Sequence, residues 1–118
     1  MSVAAAQYAQ FCDQAVEHRK VFTFTNSGEY LVYPVGGNEV VPFWSSRDRL
    51  VSIQRTLTKY ERHQIDEMEL NEFLDWIPTL EGQGILIGVN WSGERLTGYN
   101  VSVADLIAAL NHRLQGHK

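Results

Sequence analysis

The residues with chemical potential in this chain are four histidines, His18, His63, His112 and His117, and one cysteine, Cys12. Imidazole and thiolate bind metals when they recur at close spacing, two histidines one helical turn apart or Cys-x-x-Cys. None of the four histidines has that spacing and the cysteine stands alone, so no metal-ligand set is expected. His112 and His117 lie at the C-terminal end, where a solvated position is expected. A nucleophilic cysteine needs partial exposure and a neighbouring base. Cys12 sits beside Phe11 on the apolar side of the first helical segment, which predicts a small core residue.

Carboxylates offer a second chemistry. The segment from Glu61 to Glu81 holds seven of the fourteen acidic residues (Glu61, Asp66, Glu67, Glu69, Glu72, Asp75 and Glu81) and one basic residue, Arg62. A paired-carboxylate acid/base site could be drawn from Asp66, Glu67, Glu69, Glu72 and Asp75, but no spacing sets two of them at a working separation. Just upstream, Arg47, Arg49, Arg55 and Lys59 face a single acid, Asp48. This basic block next to an acidic one predicts either internal ion pairing, the favoured reading, or a polarised surface that steers a charged partner. No glycine-rich phosphate loop, Ser-His-Asp set or Cys-His set is legible, so no catalytic or cofactor-binding residue is assigned.

Aromatic residues supply the remaining candidates. Trp44 and Trp91 fall at the ends of apolar strands, where they either close the core or anchor an interface. With Arg47 they form the candidate binding set. A dispersed ligand site would instead draw on Tyr33, Arg47, Glu67 and Tyr99. Trp76 lies on the apolar face of a helical segment and is expected in the core.

The elements that must position these groups follow from periodicity. Helical spacing of Ala4, Tyr8, Phe11, Cys12 and Ala15 predicts a helix over Val3–His18, with Arg19 and Lys20 at its negative end. β-Branched and aromatic runs predict strands at Val21–Thr25, Glu29–Val35 and Val40–Trp44, separated by Asn26-Ser-Gly28 and Gly36-Gly-Asn38. Loops this short predict an antiparallel meander. Ser45 and Asp48 have capping-box spacing at the start of a helix over Arg47–Leu57. Tyr60–Leu70 fits a short half-buried strand as well as a loop. Asn71 is the expected cap of a helix burying Phe73, Trp76, Ile77 and Leu80, ended or kinked near Ile77 by Pro78. Ile85–Val89 reads as a central buried strand, Asn90–Glu94 as a turn and Arg95–Tyr99 as a final strand. Ser102 and Asp105 then cap a helix with an apolar stripe of Val103, Leu106, Ile107, Leu110 and Leu114.

The order α-β-β-β-α-(β)-α-β-β-α predicts a single α+β domain spanning residues 1–118. Helices would pack on a mainly antiparallel sheet of about five to six strands. At 118 residues with 44% hydrophobic content, the chain can bury a core without metals or disulfides. The net charge of −4 argues against a general nucleic-acid binder. No apolar run approaches a membrane span, and the first residues lack the basic and apolar blocks of a secretory signal. With one cysteine, these features predict a cytoplasmic protein.

Three stretches carry a family resemblance. They are Val41-Pro-Phe-Trp44 before a helix, Glu72-Phe-Leu-Asp-Trp-Ile-Pro-Thr-Leu80, and Gly84-Ile-Leu-Ile-Gly-Val89. In this order they resemble the bacterial family called domain of unknown function 2750 (DUF2750), over nearly the whole chain. The resemblance implies a small, compact bacterial domain with no established catalytic residues. The basic helix from Arg47 to Lys59 departs from it. The combined expectation is a non-catalytic module that binds another protein or itself, an immunity-like cap for a basic partner being one form. A small enzyme or ligand-binding domain is the alternative.

Overall fold

A computed structural model describes residues 2–116. It places α1 at Val3–His18, β1 at Lys20–Asn26, β2 at Glu29–Tyr30, β3 at Tyr33–Val35, β4 at Asn38–Phe43 and α2 at Arg47–Thr56. A 3-10 turn, Thr58–Tyr60, leads into β5 at Gln64–Glu69. Then follow α3 (Leu70–Trp76), α4 (Pro78–Glu81), β6 (Ile85–Ser92), β7 (Thr97–Val101) and α5 (Val103–Gly116). The α+β architecture is as the periodicity predicts. The strands form two sheets, ordered β2-β1-β5 and β3-β4-β6-β7. Among the described residues, no helix is long and apolar enough to cross a membrane.

The meander is only half realised. Its hairpins form locally, β1 with β2 across Ser27 and Gly28 (φ 54° and 81°), and β3 with β4 across Gly36 and Gly37 (φ 56° and 85°). Paired positive φ values suit tight hairpin turns, which twist with their strands. The expected single strand Glu29–Val35 is instead two short strands in different sheets, broken at Leu31 and Val32. Leu31 packs against one apolar cluster and Tyr30 against Phe43 and Trp76 of the other, so the segment crosses between layers. Beyond the second hairpin β4 pairs with β6 in parallel, Val41 opposite Ile87. A parallel pair requires the intervening crossover that α2, β5, α3 and α4 supply. The two sheets touch where Phe22 and Trp44 exchange backbone hydrogen bonds of 2.8 Å.

Two apolar clusters share the interior. Phe11, Cys12, Phe43, Phe73, Ile77, Ile87, Leu106 and Leu110 centre the first, where α1, α3 and α5 meet the larger sheet. Phe22, Phe24, Trp44, Leu50, Ile53, Tyr60 and Trp91 form the second, beneath α2. Cys12 is fully buried, as its position beside Phe11 predicts. Trp76 is half-buried at the edge of the first cluster.

Local signals met different fates. Ser102 caps α5, its hydroxyl accepting from the Asp105 N–H at 3.1 Å. Ile77 separates α3 from α4, and Pro78 opens the latter. Asn71, however, is not the cap of α3: Glu69 is, accepting from the Glu72 N–H at 3.3 Å. The open segment Tyr60–Leu70 contains a strand, because β5 pairs along its whole length with β1, from Thr25–Gln64 to Lys20–Glu69. The expected turn at Asn90–Glu94 is displaced too. β6 runs on to Ser92 through an irregularity between Val89 and Ser92, so β7 starts at Thr97 and not Arg95.

Candidate functional site

The strand-to-helix junction of Trp44, Ser45, Ser46 and Arg47 holds two of the predicted site residues and contacts the third. Trp44 is fully buried, edge-on to Phe24 at 5.4 Å, and its indole N–H donates to the Trp91 carbonyl at 2.9 Å. A buried indole N–H needs such a partner. Trp91 is 4% exposed and donates its own N–H to the Asn100 side-chain oxygen at 2.9 Å. Both tryptophans are buried, so of the set Trp44, Arg47 and Trp91 only Arg47 is exposed.

The Trp91 ring occupies space left by two glycines. An added Cβ at Gly88 would lie 2.4 Å from the ring, and one at Gly98 would lie 2.8 Å from it and 3.2 Å from the Trp91 Cα. A side chain at either strand position would displace the ring. Asn90, just before Trp91, holds φ 50° and is fully buried. Asparagine tolerates this left-handed conformation better than most residues. Its side-chain oxygen accepts from the Ser45 N–H at 2.9 Å, and its amide donates to the Ser45 hydroxyl at 3.0 Å. That hydroxyl donates to the Gln14 side-chain oxygen at 2.6 Å.

This network overturns the capping-box expectation at Ser45. Ser46 is the N-cap of α2 and makes no side-chain cap bond, while Ser45 ties β4 to β6 and α1. A tertiary polar cluster has taken the hydroxyl that local spacing assigned to the helix end.

Arg47 lies over the Phe22 ring at 5.9 Å. It lines a concavity of about 340 Å³ with His18, Lys20, Phe22, Ser45 and Ser46. Glu67 adjoins through an ion pair with Lys20 at 3.2 Å, in which both side chains are about half exposed. The dispersed set therefore divides. Arg47 and Glu67 flank this concavity, whereas Tyr33 belongs to the second cluster and Tyr99 to the first. Tyr33 lies 5.6 Å from Trp91 and hydrogen-bonds the Tyr60 hydroxyl. Burial, with that bond, raises its pKa. Tyr99 stacks on Tyr8 at 4.9 Å.

The favoured ion pairing between the basic and acidic blocks is not formed among the described residues. The salt bridges there are Lys20–Glu67 and Arg113–Asp13, and neither involves Arg47, Arg49, Arg55 or Lys59. The basic helix packs beside the β6–β7 turn, while the acids of β5 line the far side of β1. β5 also divides its carboxylates, Asp66 on one face and Glu67 and Glu69 on the other.

A larger cleft, about 650 Å³, was not legible in the sequence. It runs between α2 and the β6–β7 turn, with Ile53, Leu57 and Trp91 in its lining and Asp48, Arg49 and Glu94 around them. Arg49 donates to the Gln10 side-chain oxygen at 2.7 Å, and partial burial lowers its pKa. Only the recurrence of Arg49, Ile53 and Leu57 every four residues marks this face. The opposite wall depends on the displaced turn.

Burial pushes the Cys12 thiol up to about 11, which keeps it protonated near neutral pH. Among the described residues no three His, Cys, Asp or Glu side chains converge on one point. His112 is exposed on α5, and His117 lies outside the described residues. The geometry offers concavities and charged surfaces that can bind.

A comparison with curated proteins gave no match. The family model described as protein of unknown function (DUF2750) matches residues 8–110 of the 118. It therefore spans the junction, both sheets and most of α5, and the chain belongs to the DUF2750 family.

Proposed function

We propose that this domain works by binding another protein, or a second copy of itself, and not by catalysis. The supporting observation is a concentration of exposed apolar side chains on one short segment. Among the described residues, Tyr30, Val32 and Val35 are 37%, 44% and 39% exposed, and Val3 is the one other large exposed apolar residue. Exposed apolar residues grouped in this way mark interaction sites, whereas scattered ones do not. The segment adjoins a concavity of about 220 Å³ whose lining includes Tyr33, Pro34, Val35, Trp91, Arg95 and Leu96. Pro34 has no N–H to give to an added strand, so contact here runs through side chains. Arg95 at the rim supplies a charge for orientation. The partner is expected in the bacterial cytoplasm.

Sedimentation velocity and affinity purification from a bacterial lysate test this reading. The expected result is either concentration-dependent association or one stoichiometric partner, lost in a Val32→Ser/Val35→Ser double variant that keeps the native circular dichroism spectrum. A strictly monomeric protein that recovers no stoichiometric partner overturns it.

The Arg47 concavity supports a second reading, a small-anion site. His18, Lys20 and Arg47 come from three separate elements and meet around one concavity in a chain of net charge −4. Phosphate titration should then shift the His18 and Arg47 resonances saturably in the native protein and not in Arg47→Gln. A uniform, unsaturable salt response eliminates it.

A further inference from the structure

The outer side of β5 is the longest free strand edge among the described residues. β5 ends the sheet order β2-β1-β5 and has six residues, Gln64–Glu69. The other edge strands are shorter: β2 has two residues, β3 has three including Pro34, and β7 has five including Gly98. β5 contains no proline, and the charges that guard its edge are all acidic, Asp66, Glu67 and Glu69.

The backbone groups on that open side follow from β1. The N–H and C=O of Phe22 both bond Trp44, so they point away from β5. Phe22 stands opposite Glu67, making this a pair without mutual hydrogen bonds. Antiparallel alternation then assigns Val21–Met68 and Thr23–Asp66 to the ladder. It turns the N–H and C=O of Ile65 and Glu67 outward, while the Glu69 carbonyl, at the N-cap of α3, serves the helix. Charge decides what can pair with them. Asp66 marks one face of the strand and Glu67 and Glu69 the other, all three exposed, with Lys20 of β1 paired to Glu67. A second copy of β5 would set carboxylates against carboxylates, and like charges directly opposite destabilise a ladder. Cross-strand pairing of opposite charge does the reverse.

We propose that the open edge of β5 receives an extended segment of a partner protein that carries lysine or arginine at alternating positions. The segment would extend the three-stranded sheet by backbone hydrogen bonds to Ile65 and Glu67, with its basic side chains meeting Glu67 and Glu69. This surface belongs to the smaller sheet and is independent of the apolar patch at Val32 and Val35.

The test is amide NMR of the full chain titrated with a capped Lys-Thr-Lys-Val-Lys-Thr peptide, with Glu-Thr-Glu-Val-Glu-Thr as control. Saturable shifts at Ile65 and Glu67, slowed hydrogen exchange there, and no response to the acidic peptide are expected. The Glu67→Lys variant, which reverses charge on the contacted face and leaves the Glu69 cap of α3 in place, should weaken binding by about tenfold. Glu67→Pro removes an outward N–H without touching the β1 ladder and should abolish binding in a folded protein. No saturable shift at millimolar peptide, shifts elsewhere, equal binding of the acidic peptide, or unchanged binding by the charge-reversed variant would overturn the proposal. So would a dimer formed through β5.

Discussion

The indole of Trp44 and the backbone of Trp91 are joined by a 2.9 Å hydrogen bond across 47 residues of chain. Trp44 leaves the end of β4, where it also bridges to Phe22 of the smaller sheet. Trp91 lies in the irregular stretch of β6 beside Asn90. One residue therefore connects β1, through its backbone, and β6, through its indole, at the end of β4. Of the two readings the sequence leaves for these tryptophans, core closure or interface anchor, burial selects the core, and Trp44 ties the two sheets together.

Replacing Trp44 with phenylalanine should orphan the Trp91 carbonyl and leave part of the indole volume empty. The expected loss is about 2–4 kcal/mol, from an unsatisfied buried acceptor together with a small cavity. Urea unfolding followed by far-ultraviolet circular dichroism measures it, and a loss below about 0.5 kcal/mol would show the bond to be dispensable.

Gly88→Ala tests whether Trp91 requires the bare strand surface. The new methyl would fall 2.4 Å from the ring, so the indole must move, at a cost of about 1–3 kcal/mol. Gly82→Ala is the matched control: its nearest neighbour is the Thr79 carbonyl at 3.7 Å, and its backbone is helical. It should be neutral or stabilising by about 0.4–1 kcal/mol. Tryptophan fluorescence should change in the first variant and not in the second.

Asn90→Ala should destabilise by about 2–4 kcal/mol. It orphans the buried Ser45 N–H and leaves a β-carbon at φ 50° without asparagine's tolerance for that region. Asn90→Gly relieves the backbone part only, so the difference between the two variants in thermal unfolding isolates the strain.

Alkaline pH should weaken the fold. The Cys12 thiol rises from 9.0 to about 11, and the Tyr8 hydroxyl from 10.0 to about 12, each chiefly through burial. Below pH 9 both states hold these protons and the stability is intact. Above it the unfolded chain loses the thiol proton first, so stability falls, by up to about 1.4 kcal/mol per pH unit for one group. The thiol contribution ends near pH 11, where the native thiol also ionises. Chemical denaturation between pH 7 and 11 follows this decline, which Cys12→Ala should reduce. The same burial predicts that Cys12 reacts with thiol reagents only on unfolding.

Exposed Arg47 gives the opposite expectation. Its contact with the Phe22 ring is at the surface, so Arg47→Gln should change stability by no more than about 1 kcal/mol. A larger loss in thermal unfolding would show that the junction depends on this side chain.

The sequence by itself determined the local elements, because their signals are short-range. The 3.6-residue spacing that buries Phe11, Cys12 and Ala15 set α1 at Val3–His18, and Ser102 capped α5 from three residues away. Gly28 and Gly37 likewise marked their hairpins through backbone freedom that neighbours do not alter. Which sheet each strand joined was decided only in the tertiary structure. β4 pairs with β6 across 46 residues, Val41 opposite Ile87, and no local pattern encodes that pairing or its parallel sense. The fate of Ser45 belongs to the same class. Its spacing to Asp48 promised a helix cap, but Asn90 and Gln14, distant in the chain, compete for the same hydroxyl and amide in a buried site. An unsatisfied buried N–H costs more there than an open helix end exposed to water. The candidate surfaces have this origin too: burial of Trp44 and Trp91 leaves Arg47 as the exposed member of that set, and the sheet order leaves β5 at an edge.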